Sequence, residues 1–201
     1  MESMKQNLHW RYYLSLESDV YAMSRYIHFS SDNFKAYSIE LAKLYLAICA
    51  EVEVVLKEIC GICPSKKSKE ANIAIYRECV VENQKGLITE EVQSFEFELQ
   101  FIPWKDFNEG KSPSWWSDYN CLKHERREHF NKANLGNVLQ AVAGLYIANL
   151  YLGKVLSNRE QDIDFILDIG EIYATYPKGK KLFQPIGIQS SIENQHYILS
   201  R

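Results

Sequence analysis

Apolar residues recur three and four apart along one long stretch, where Leu41, Leu44, Tyr45, Ile48, Val52, Val55 and Ile59 mark a single face of residues 38 to 60. That spacing gathers the side chains into one stripe and predicts a strongly amphipathic helix. Upstream, Trp10, Tyr13, Leu14, Glu17 and Tyr21 also share a helical stripe, and Ser31-Asp32-Asn33 supplies turn chemistry between the two segments. A helical hairpin is expected. Ile73, Tyr76 and Val80 predict a shorter helix over 70 to 82, behind a solvated lysine-rich turn at Ser65-Lys66-Lys67-Ser68-Lys69.

The period then changes. Phe95, Phe97, Leu99 and Phe101 alternate with Glu96, Glu98 and Gln100, which predicts a half-buried strand over 94 to 102 that ends near Pro103. Ser112-Pro113-Ser114 can open a helix, expected to run to about Phe130, with a further helix from about Asn134. In that last helix Ala141, Gly144 and Ala148 form a strip of small side chains that lets another element approach closely. Its apolar run from Val138 to Leu152 contains Gln140 and Asn149 and falls short of the roughly 20 residues a membrane crossing needs, so it reads as a core helix. Residues 161 to 176 satisfy a strand pattern and a helix pattern equally. Pro177, Gly179, Pro185 and Gly187 break the tail from 177 to 201, where Leu182-Phe183 and Ile186-Gly187-Ile188 can form a short strand against the one at 94 to 102. The expected architecture is a single, mainly α domain over 1 to 201: an up-and-down bundle of four to five helices with a small β-strand or hairpin appendage.

Composition narrows the function classes. With 201 residues, 46% of them hydrophobic, the chain can bury one substantial core. A net charge of -3 argues against coating nucleic acid or anionic membrane by overall charge, so a polyanion partner would need a local basic patch. The first ten residues hold no apolar run of the secretory kind, and five scattered cysteines suit a reducing compartment, so a cytoplasmic location is expected. Cys60-Gly-Ile-Cys63 has redox or zinc spacing but closes a helix, and Gly61 and Pro64 read as stop signals there. No phosphate-binding glycine loop, H-E-x-x-H or G-x-S-x-G occurs. Asp162, Asp164, Asp168 and Glu171 resemble a cation site in composition alone, and His9, His28 and His196 stand isolated.

The chemistry concentrates between Trp115 and Leu135. Over residues 111 to 135 five positive charges face three negative ones, a local excess of +2 in an acidic chain. If the helix runs to 130, Asn120, Lys123, His124, Arg127 and Asn131 share one face. A histidine there can exchange protons near neutral pH while lysine or arginine steadies charge on a phosphoryl group. Metal-independent RNA cleavage needs those two roles: a base removes the ribose 2'-hydroxyl proton, and the oxygen attacks the adjacent phosphate. The competing reading is an ordinary solvated face, with Glu125 paired to His129 and Glu128 to Lys132. Trp115 and Trp116 read as core or interface anchors rather than base-stacking platforms.

Tyr119-Asn120-Cys121-Leu122-Lys123-His124, set before a long apolar helix and after an amphipathic one, resembles the HEPN superfamily. That signature is Arg, four to six residues, then His, often with Asn directly after the Arg. The chain is similar in particular to bacterial HEPN-like proteins carrying a Tyr-Asn-x-x-Lys-His-x-Arg run, matched by Tyr119, Asn120, Lys123, His124 and Arg126, and the likeness spans roughly residues 38 to 156. It implies a helical bundle that forms a homodimer with two motifs facing one another, and in active members a metal-independent endoribonuclease serving phage defence or a toxin–antitoxin pair. His124 would be the catalytic histidine and Asn120 the residue that orients it, with Lys123 and Arg126 beside them and Arg127 and Tyr119 toward the substrate. Tyr119 stands where the signature arginine belongs and carries no positive charge near neutral pH, so charge stabilisation falls to Lys123, Arg126 or Arg127. No metal or cofactor and no membrane is implied; RNA and an antitoxin-like or other protein partner are. The alternative is a catalytically inactive module for helical dimerisation or partner binding.

Overall fold

A computed structural model of the chain describes residues 8–62, 72–160 and 182–186. It is mainly α with a small antiparallel sheet. Helix α1 spans Leu8–Ala22, α2 Ile39–Ile62, α3 Ile73–Asn83, the single turn α4 Gly86–Thr89, α5 Ser114–His124 and α6 Leu135–Glu160. The apolar stripe of α2 is buried along its whole length, from Leu41 through Tyr45, Ile48, Val52 and Val55 to Ile59. Asn72 starts α3 by accepting from the amides of Ala74 and Ile75 at 3.0 and 3.3 Å, which satisfies donors the first helical turn leaves open.

Contacts fix the direction of each helix. α2 and α6 start side by side, because Tyr37 pairs with Asn134 in an isolated antiparallel bridge and the Leu135 amide donates to the Ala36 carbonyl at 2.9 Å. α1 runs the other way against α2: His9 at its start reaches Glu51 and Glu58, while Ala22 at its end lies beside Glu40 and Lys43. α5 is likewise antiparallel to α6, with Trp115 against Gly144 and Asp118 bonded to Asn137. The expected up-and-down bundle results.

Helix α6 is the centre of the core. Every residue from Ala141 to Tyr151 is buried. Its stretch Leu135–Leu156 is, contrary to the shorter span expected from Val138 to Leu152, long and apolar enough to cross a membrane, yet 83% of its most apolar window is buried inside the bundle. The neighbours of a core helix account for that apolarity. The small strip works as expected but admits indole rings: Trp104 donates from Nε1 to the Gly144 carbonyl at 3.1 Å, and Trp115 lies against the same glycine.

The alternating segment 94 to 102 is a hairpin and not one strand. β1 (Val92–Ser94) pairs with β2 (Leu99–Phe101) in the register Val92 to Phe101, and residues 95 to 98 turn between them with Glu98 at φ 53°. The period-two pattern misleads because Phe97 is a turn residue packed on Phe29, with centroids 4.8 Å apart, while Phe95 is 52% exposed. The expected strand near 182 to 188 forms as β3 (Gln184–Pro185), which pairs antiparallel with β1. Residues 161 to 176, the acidic residues in them, the lysine-rich turn, Cys63 and His196 lie outside the described residues.

Candidate functional site

Helix α5 is built from two unlike faces. Trp115, Trp116, Tyr119 and Leu122 are buried, and their rings form a continuous stack of contacts: Trp104 to Trp115 at 5.2 Å, Trp116 to Tyr119 at 5.2 Å and Tyr119 to Tyr45 at 6.1 Å. The Tyr45 hydroxyl donates to the Trp115 carbonyl, which ties α2 to the first turn of α5. Both tryptophans are therefore core anchors, as expected. The helix ends at His124 because the run from Lys123 to Glu128 is exposed and has no apolar position left to bury, and burial supplies most helical stability in proteins.

That early stop redraws the polar stripe. Asn120, Lys123 and His124 do share the end of α5, but Arg126, Arg127 and Asn131 lie in the turn beyond it, where the His129 amide bonds the Glu125 carbonyl at 3.0 Å. Asn120 is half-buried and Lys123, His124, Arg126 and Arg127 are exposed. Among the described residues no side-chain hydrogen bond joins Asn120 to His124. Tyr119, grouped above with the substrate-binding residues, is only 3% exposed; burial is the main cause that pushes its phenol up from the ordinary value, and the nearby Lys123 ammonium opposes it. Lys123 Nζ sits 5.5 Å from the Tyr119 ring centroid, a cation–π contact that leaves the ammonium at the surface.

Two of the three carboxylates here, Asp118 and Glu125, are already committed, and Glu128 has no ion pair among the described residues. Glu125 pairs with His129 at 3.1 Å as expected, whereas Lys132 pairs with Asp118 at 2.9 Å and not with Glu128. Asn137 donates from Nδ2 to Asp118 Oδ2 and to the Lys132 carbonyl, both at 2.9 Å, and its amide is capped by Asn134 Oδ1 at 3.0 Å. This network holds the turn between α5 and α6, and no sequence spacing announces it because Asp118 and Asn137 sit on different helices. Lys123, Arg126 and Arg127 have no ion pair among the described residues.

Glu125, Glu128 and His129 also bring their ligand atoms within 4.8 Å of one another. All three are cation-ligand types, but they lie on an open turn that includes Arg126 and Arg127, whose charge opposes a metal ion. His9 is less isolated than its sequence context implies: its two ring nitrogens meet Glu51 Oε1 at 2.6 Å and Glu58 Oε2 at 2.7 Å, binding α1 to α2.

Comparison of the chain with protein-family models, curated proteins and solved structures finds no match. What the surface offers chemically is a solvated imidazole and three unpaired cations at one end of a rigidly anchored helix.

Proposed function

We propose that this is a HEPN-like cytoplasmic protein that binds RNA, and cleaves it without a metal, through the exposed end of α5. The observation that carries this reading is the set of Lys123, Arg126 and Arg127, exposed beside His124 and without ion pairs while Asp118 and Glu125 are engaged elsewhere. Unpaired cations favour phosphate because no internal bridge has to break first. In the proposed reaction His124 takes the ribose 2'-hydroxyl proton, the oxygen attacks the adjacent phosphorus, and the bond to the 5' oxygen breaks as that oxygen gains a proton. Products are a 2',3'-cyclic phosphate and a 5'-hydroxyl end. A homodimer would set two such surfaces together, and a role in phage defence or a toxin–antitoxin pair follows from the HEPN likeness.

The test is cleavage of end-labelled RNA in the presence of a chelator, with sedimentation to read the oligomer. Wild type is expected to cut and His124→Ala to lose about 100-fold or more. Cutting that His124→Ala leaves unchanged would end the catalytic assignment.

The second reading is a catalytically inactive dimerisation or partner-binding module. It is favoured by the burial of neutral Tyr119 at the position where an active member carries arginine. RNA binding without cleavage, unaffected by His124→Ala, would support it.

A further inference from the structure

Among the described residues the exposed aromatic side chains are Tyr12, Tyr26, Tyr37 and Phe95, and one of them packs on the segment that follows the basic turn. Tyr37 is 54% exposed. Its backbone pairs with Asn134 and its ring stands edge-to-face at 89° to Phe130 with centroids 5.8 Å apart, and Phe130 opens the short 3-10 helix Phe130–Lys132 that follows the turn of Arg126 and Arg127. Just before it in the chain, the Ala36 and Phe34 carbonyls accept from the Leu135 and Gly136 amides at 2.9 and 3.0 Å. The chain thus holds a phenol ring half in water, with its main chain fixed, against the segment that directly follows the basic turn. Lys35, two residues before it, is exposed as well.

We infer that Tyr37 is a base-stacking residue: one unpaired base of a single-stranded RNA lies on its ring while Lys35, Arg126 and Arg127 hold the flanking phosphates. This inference rests on the RNA reading above and adds a preference for unpaired bases to it. Aromatic rings accept any base, so Tyr37 selects single strands over duplexes rather than one sequence over another. Tyr26 is more exposed, at 80%, but it follows α1 and no contact ties it to the basic turn, which makes it the control.

The experiment measures binding of a single-stranded RNA carrying 2-aminopurine, and of a duplex of the same sequence, to wild type and to Tyr37→Ala, Tyr37→Trp and Tyr26→Ala. Stacking is worth about 1–3 kcal/mol per base, so Tyr37→Ala is expected to weaken single-strand binding about 5- to 150-fold. Duplex affinity and Tyr26→Ala are expected to match wild type. Tyr37→Trp should restore both affinity and the quenching of 2-aminopurine, which separates stacking from any loss of fold in the alanine variant. Unchanged single-strand affinity in Tyr37→Ala, alongside weakened binding by an Arg126→Ala, Arg127→Ala double variant, would overturn the stacking role and leave RNA binding in place. Absence of RNA binding by wild type would overturn both.

Discussion

Gly144→Ala sets two effects of known size against each other. Gly144 lies inside α6, where alanine gains roughly 1 kcal/mol in helix propensity. The added methyl would sit 3.1 Å from Trp115 Cζ2, closer than such carbons normally approach, and 3.4 Å from Trp104 Cζ2, at the near edge of ordinary contact. Neither ring is free to retreat. Trp104 donates to the Gly144 carbonyl at 3.1 Å, Trp115 donates to the Pro103 carbonyl at 2.9 Å, and both rings are 2% exposed or less. Overpacking a tight core costs about 1–3 kcal/mol, so the clash outweighs the propensity gain and the variant should lose up to about 2 kcal/mol. Urea unfolding followed by circular dichroism reads this as a lower midpoint at unchanged slope. Gly61→Ala is the internal reference, because a methyl there meets nothing within 4 Å, and it should stabilise by a few tenths to about 1 kcal/mol. If Gly144→Ala stabilises as much as Gly61→Ala does, the indole pair is not rigid and the account of how α5 is anchored fails.

Three further outcomes are expected. His124→Ala should change folding stability by no more than about 0.5 kcal/mol, since the side chain is exposed; a loss above 1 kcal/mol in urea unfolding would show a structural role in its place. Asn137→Ala removes the bonds to Asp118 and to the Lys132 carbonyl, so it should cost about 1–2 kcal/mol and speed tryptic cleavage after Arg126 and Arg127; equal digestion rates would separate the network from the turn. Burial is the largest cause that holds the Glu90 carboxyl above its ordinary range, against the hydrogen bond from Tyr151 and the Lys154 ammonium. The folded state therefore keeps this proton more tightly, and its stabilising effect is full below the unfolded carboxyl pKa and lost as pH rises through the folded value. Glu90→Gln should accordingly raise the melting temperature more at pH 7 than at pH 4, and a larger gain at pH 4 would reverse the sign.

The helices were legible because their signal is periodic and the bundle rewards it. α2 buries each residue of its predicted stripe except the half-buried Leu44, and α6 buries a run with hardly a polar position. The hairpin was half legible: Leu99 and Phe101 behave as a strand, but Phe95 and Phe97 alternate for a different reason, since a turn can present one ring to the core and the next to water. The end of α5 was misplaced by about six residues because helical spacing continues on paper through Arg127 and Asn131 without any buried partner to enforce it. Networks between distant residues, such as Asp118 with Asn137 or His9 with Glu51 and Glu58, have no local pattern at all. They follow from packing and become visible only with it.

On the proposed RNA reading, the place where α5 stops also bears on which form of RNA its surface would suit. Had the helix continued, Arg127 would stand about 4.5 Å further along the axis than His124, and the cations would form a line fit for a long backbone. The chain folds into a turn instead, closed by the bond from the His129 amide to the Glu125 carbonyl. Cations at 123, 126 and 127 are thereby gathered at one end of the bundle. Position 119 faces the core instead: Tyr119 packs on Tyr45 and Trp116, so a guanidinium there would lose its water, with the Glu53 carboxylate near enough to offset part of that cost. A neutral phenol at 119 is thus what this core tolerates. If the proposed reaction occurs, its charge stabilisation falls to Lys123 at the end of α5 and to Arg126 and Arg127 in the turn, a compact grouping that would suit a locally bent single strand better than a rigid duplex.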